Sequence, residues 1–190
     1  PTTPSAPASN STVRFPNCAS NNTITTCSIL GSSTSSATTA GGNVLFSTST
    51  VAGGNSNNTV SNNAIGPAGA NLPSKGVALI GSAAPNANTG NVINNNNIFD
   101  CFIATATNAG ISVSSGNTTV TISNNRIYQT AARAFTTTGL RYNGILANPG
   151  SAGSATCTGN IIGFGAANGT GTTTISGLGN TINGIQAASA

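Results

Sequence analysis

Charge is nearly missing from this chain. Of 190 residues, five are Lys or Arg and one is acidic, and His, Met and Trp are absent. Each absence removes a class of chemistry. Cleaving a glycosidic bond needs an acid and a base or nucleophile, normally two carboxylates, and Asp100 stands alone. One carboxylate also falls short of the oxygen ligands that calcium needs. Without His there is no imidazole for proton transfer or metal binding. Ser and Thr are plentiful, but a hydroxyl nucleophile needs a neighbouring base. Lys75 in "LPSKG" is the only amine side chain available, with no supporting group beside it. The sequence reading therefore gives no enzyme, no catalytic residue, no metal and no cofactor.

The net charge of +4 rests on scattered cations: Arg14, Lys75, Arg126, Arg133 and Arg141. A nucleic-acid footprint would cluster them along a phosphate track, so no nucleic-acid partner is expected. No apolar run approaches the ~18 residues of a membrane span, the richest stretch being Gly76–Gly81, "GVALIG". Strong helix formers are scarce, while Ile, Val and Thr, which suit pleated strands, are common. The polar surface falls to Asn, Ser, Thr and Gly, with 28 asparagines in all.

What is present repeats. Six segments share an apolar residue, two positions, Asn, one position and Ile: Ile24–Ile29, Val60–Ile65, Ile93–Ile98, Ile122–Ile127, Cys157–Ile162 and Gly177–Ile182. The fourth position is Asn63, Asn96, Asn125, Asn160 and Asn180, with Cys27 in the first segment. The sixth is Ile29, Ile65, Ile98, Ile127, Ile162 and Ile182. Segment starts at 24, 60, 93, 122, 157 and 177 are 36, 33, 29, 35 and 20 residues apart. A constant short motif with uneven spacing puts the length changes in loops and keeps a strand in every coil. A second short strand precedes four of the motifs, at Val44–Phe46, Val77–Ile80, Ile111–Val113 and Ile145–Ala147.

The expected fold is therefore all-β: a right-handed parallel β-helix, or solenoid, of about six irregular coils with two strands each. Stacking would set Ile over Ile and build a core that no single coil could bury. The bend asparagines suit a left-handed backbone and would form a ladder through Asn63, Asn96, Asn125, Asn160 and Asn180. A β-sandwich of short strands is the alternative. Residues 1–21 read as an extended Pro/Ser/Thr-rich arm or linker, and 22–190 as the solenoid. "GNTTVTISNNRIY" with the preceding "GISV", and "GNVINNNNIF", resemble coils of the pectin-lyase-like right-handed β-helix family. The resemblance implies that coil type over residues 22 to 187. The clustered carboxylates of that family's lyases and hydrolases have no counterpart here.

Cys18, Cys27, Cys101 and Cys157 form no metal-binding pattern, so disulfides are expected. Cys18–Cys27 is the first of three possible pairings, with Cys101–Cys157 following. Sequons at Asn10, Asn21, Asn57, Asn117 and Asn168 offer glycosylation sites. Asp100 reads as a partnered or solvated bend carboxylate, with Arg126 on the next coil.

The leading expectation is a secreted or cell-surface structural or adhesive protein, as a filament subunit associating end to end or a fragment of a long adhesin. A carbohydrate-binding β-helix contacting surface glycans through Phe99, Phe102, Tyr128, Phe135, Tyr142 or Phe164 is the second reading. An ice-binding solenoid is the third. Thr23–Thr25 "TIT" and Thr119–Thr121 "TVT" suit it, but they do not recur on every coil, so no regular array is expected.

Overall fold

The structure, a computed structural model, describes residues 2–3, 10–37 and 40–188. It is a parallel β-solenoid without helix among the described residues. Each coil has three strands rather than two. In the first coil these are β2 (Val13–Phe15), β3 (Thr23–Thr25) and β4 (Ser28–Gly31). The second has β5 (Val44–Phe46), β6 (Thr59–Ser61) and β7 (Ala64–Pro67). The third has β8 (Lys75–Leu79), β9 (Asn91–Asn94) and β10 (Asn97–Phe99). The fourth has β11 (Asn108–Val113), β12 (Thr119–Ser123) and β13 (Arg126–Tyr128). The fifth has β15 (Arg141–Ala147), β16 (Ser154–Thr158) and β17 (Ile161–Phe164). β19 (Thr181–Ala187) opens a further coil.

Like strands stack into three parallel sheets. Sheet 1 runs β2-β5-β8-β11-β15-β19 and sheet 2 runs β3-β6-β9-β12-β16. Sheet 3 runs β1-β4-β7-β10-β13-β17, where β1 (Thr2–Thr3) lies along β4. Four full turns separate β3 from β16, fewer than the six coils expected. Pairing of β2 with β5 brings Val13–Phe15 into the stack ahead of residue 22. Of the arm expected at residues 1–21, residues 1 and 4–9 lie outside the described residues.

The motif spans a corner, which explains the third strand. Its first residue lies in sheet 2 and its Ile in sheet 3. Between them Thr26, Asn62, Asn95, Asn124 and Gly159 hold φ of +53° to +62°, so the left-handed residue is the third motif position and not the ladder asparagine at the fourth. Ile29, Ile65, Ile98, Ile127 and Ile162 are in register. The first four are buried, and Ile162 packs partly buried on the same core. Full burial of one such side chain contributes roughly 1.5–3 kcal/mol. Gly76, Gly110 and Gly144 clear the space opposite: a Cβ on any of them would sit 2.5 Å from the Cγ2 of Ile98, Ile127 or Ile162 respectively.

The sixth motif departs from this column. Ile182 lies in β19 of sheet 1 opposite Tyr142, and it is exposed. Asn180 accepts from the Leu140 N–H at 2.7 Å, away from the ladder. Residues between β17 and β19 instead form β18 (Ile175–Ser176), which pairs with β14 (Arg133–Ala134) on the preceding connection. A small second core of Phe102, Phe135 and Tyr142 sits beneath these connections.

Candidate functional site

The polar interior is built from stacked amides. Asn63 donates its main-chain and side-chain N–H to Asn96 Oδ1, both at 3.0 Å. Asn96 does the same to Asn125, and Asn125 to Asn160. The other amide proton of each goes to a carbonyl one coil back, on Ile24, Val60, Ile93 and Ile122 in turn. Asn63, Asn96 and Asn125 thus each tie three coils together, and Asn160 ends the ladder by tying two. Cys27 begins the series by donating its N–H to Asn63 Oδ1 at 2.9 Å.

Two further ladders were missed from sequence. Asn22, Asn58 and Asn91 form one by the same double donation. Asn55, Asn88 and Asn117 form another at the corner between sheets 1 and 2. The signal was legible as Asn-x2-Asn-x4-Asn, present at 55, 58, 63 and at 88, 91, 96.

This placement corrects one sequon. Asn117 is fully buried and donates to Ser114 O at 2.8 Å, so no glycan fits there. Asn10, Asn21, Asn57 and Asn168 are exposed.

The expected disulfides are not formed: all four cysteines are free. Cys18 and Cys27 flank opposite ends of the extended β3. Cys157 lies in sheet 2 in register with Ile122, whereas Cys101 is buried just past sheet 3, two coils away. Burial pushes the Cys101 thiol well above its ordinary range, aided by Asp100.

Asp100 pairs with Arg133, not with Arg126. Its Oδ1 accepts from Arg133 Nη2 at 2.6 Å and from the Thr130 N–H at 2.8 Å, and its Oδ2 accepts from the Thr130 hydroxyl at 2.6 Å. Arg133 Nε donates to Gln129 Oε1, and Gln129 Nε2 donates to the Tyr142 hydroxyl. This network fastens the connection carrying β14, and it leaves the carboxylate fully engaged. Lys75 is buried, and its Nζ donates to Ala37 O and Ala40 O. Desolvation lowers its pKa to about 8.

Aromatic side chains divide between two places. Phe102, Phe135 and Tyr142 are buried in the second core. Phe99, Tyr128 and Phe164 follow one another on the outward side of sheet 3, the first two stacked with ring centres 5.7 Å apart. A cleft of about 360 Å³ crosses the corner between sheets 1 and 2 over the third to fifth coils, walled by small uncharged residues such as Ala83, Ala84 and Pro149.

The last coil is the most open part of the molecule. Leu178 is 90% exposed, Ile182 53% and Ile185 50%, and Ile161 and Phe164 are also exposed. No charged side chain follows Arg141. Among the described residues no group of His, Cys, Asp or Glu could hold a metal, and no helix is long and apolar enough to cross a membrane. No protein-family model, curated protein or solved structure matches this chain.

Proposed function

We propose that this chain is a non-catalytic structural or adhesive solenoid of the extracellular space or cell surface, pectin-lyase-like in coil type, that associates end to end. The observation that carries this reading is the last coil: five exposed large apolar side chains, four on the edge strands β17 and β19 and Leu178 in the turn before β19, and no charge after Arg141. Open strand edges pair with neighbours unless they are blunted by charge, proline or a cover. Ile185 continues the inward rank of Val77, Ile111 and Ile145, so the face seeks another β-coil. A head-to-tail contact of that kind does not close on itself and gives a filament. The engagement of Asp100 by Arg133 and Thr130 supports a non-catalytic role. Electron microscopy and light scattering of the pure chain test the proposal. Concentration-dependent rods are expected. A strict monomer at high concentration removes the filament and leaves a coil set within a longer adhesin.

The rank of half-buried Phe99, buried Tyr128 and exposed Phe164 favours a second reading, in which surface glycans stack on Phe164 at the open end of sheet 3. Binding on a glycan array that Phe164→Ala abolishes would favour it over the structural role.

A further inference from the structure

The outward side of sheet 2 is unlike those of the other two sheets. Its strands keep one register from β3 to β16 without interruption, whereas sheet 3 slips between β13 and β17. The register sets two outward ranks. One is Thr23, Thr59, Val92, Thr121 and Thr156; the other is Thr25, Ser61, Asn94, Ser123 and Thr158. Four of five positions in each rank carry a hydroxyl, eight of ten together, and Val92 keeps the shape of threonine. Sequence alone hid this array because "TVT" at 119–121 begins two residues early. Thr121, not Thr119, shares a rank with Thr23, and Thr119 lies beside Ser154.

Neither rank holds a charged or aromatic residue. The outward side of sheet 3 carries Arg126, Phe99 and Tyr128, and that of sheet 1 carries Arg14 and Leu45. Strands about 4.8 Å apart and alternate residues about 6.6 Å apart along each strand make a two-dimensional grid of hydroxyl and methyl groups. β-branched side chains are stiff at χ1, and the inward neighbours Val60, Ile93 and Ile122 anchor the backbone in the core. The second rank is tied internally. Ser61 donates to Thr25 Oγ1 at 3.4 Å, and Ser123 donates to Asn94 Oδ1 at 3.0 Å. In the first rank, Thr23, Thr59, Thr121 and Thr156 have no side-chain partner among the described residues, and all but the half-buried Thr59 are exposed.

We propose that this face binds the surface of ice. The grid repeats in two directions with no charge to break it, so water held on the ranks is ordered in a periodic layer that a crystal face can continue. Each hydroxyl contact is weak, but a rigid grid adds many of them with little ordering cost. Charges would hold their own hydration shells against that order, and the grid has none. A crystalline polysaccharide would also meet a regular face, yet the grid lacks the rings on which sugars stack.

The test is thermal hysteresis and inhibition of ice recrystallisation by the full chain, with Thr121→Tyr on the first rank and Asn97→Tyr on the outward side of sheet 3 as control. Wild type and Asn97→Tyr are expected to shape ice equally, and Thr121→Tyr to lose the activity several-fold while keeping the far-ultraviolet dichroism and melting temperature. Should Thr121→Tyr not fold, Thr156→Tyr on the exposed last strand replaces it. Absence of any effect on ice by the wild type overturns the proposal. So does equal activity in the folded rank variant, or binding to a crystalline polysaccharide with no effect on ice growth.

Discussion

Ile98 is fully buried between Ile65 and Ile127 in the middle of the column. Truncating it to Ala opens a cavity that neighbouring coils cannot fill, and should cost ~2–5 kcal/mol in urea unfolding. Ile182→Ala, at a position half open to water, should cost well under about 1 kcal/mol. Both residues occupy the same place in the sequence motif, yet the structure buries one and exposes the other. Thr26 is a β-branched residue held at φ +55° where other coils place Asn or Gly. Thr26→Gly should therefore stabilise the fold by about 1 kcal/mol, measured the same way. Lys75 gives a pH signature. Its ammonium titrates at about 8 in the fold against 10.5 ordinarily, so between those values the unfolded chain holds a proton that the native state lacks. Stability then rises with pH across that window, by up to about 3 kcal/mol. Cys101, Cys157, Tyr128 and Tyr142 oppose this at higher pH, because burial pushes each of them up and the native state keeps protons that the unfolded chain loses. From pH 8 to about 9 the thiols already offset part of the gain, so urea midpoints of Lys75→Met should fall with pH and the gap between wild type and Lys75→Met should widen in favour of wild type. None of this was legible in "LPSKG", since the loop that buries the amine is distant in sequence.

At the scale of the coil, the Ile column and the first Asn ladder were legible because a side chain every coil must face the same neighbour. The bend inside the motif was read one residue late, at the ladder asparagine, and the third strand it creates was not read, since a short turn and a continuous strand write the same short pattern. The sixth motif misled for a reason its spacing disclosed. Its step of 20 residues is shorter than the 29 to 36 that every full coil needs, so Ile182 could not reach sheet 3 again. The ladders make sharp demands on single residues. Asn96 makes six hydrogen bonds, accepting two from Asn63 and one from the Arg126 N–H and donating three to Asn125 and Val60. Asn96→Ala takes the acceptor from both Asn63 N–H groups and a donor from the Val60 carbonyl, while Asn125 Oδ1 keeps the main-chain N–H, and should cost about 3 kcal/mol or more. Asn95→Gly, one residue away at an exposed left-handed position, should change stability by less than about 1 kcal/mol. Burial also divides the sequons. Expression in a glycosylating host should load sugar on Asn21, Asn57 or Asn168 and leave Asn117 bare, as peptide mass mapping would reveal. Sugar on Asn117 would mean that the third ladder is open.

Across the whole molecule, stability is a sum of coil interfaces, since each coil touches only its neighbours. The second to fourth coils are covered on both sides, while every strand of the last coil carries exposed positions and β19 has one neighbour. Hydrogen exchange of the monomer should therefore be slowest in β8 to β13 and fastest in β16, β17 and β19. The two ends are not equivalent. β1, β2 and β3 edge the three sheets at the start and β16, β17 and β19 at the far end, but among the described residues it is the far end that carries the cluster of exposed large apolar side chains. Net charge is low and none of it lies past Arg141, so little repulsion separates molecules that meet there. Association through that end should slow exchange in β16, β17 and β19 as concentration rises, and leave β8 to β13 unchanged. Replacing Leu178 and Ile185 by Lys places like charges on the meeting face without touching the buried column. Light scattering should then report monomers at concentrations where the wild type forms rods, with the melting temperature of the central coils preserved. If the double variant still assembles, the contact lies elsewhere, and the exposed apolar residues of the last coil are not what joins one copy to the next.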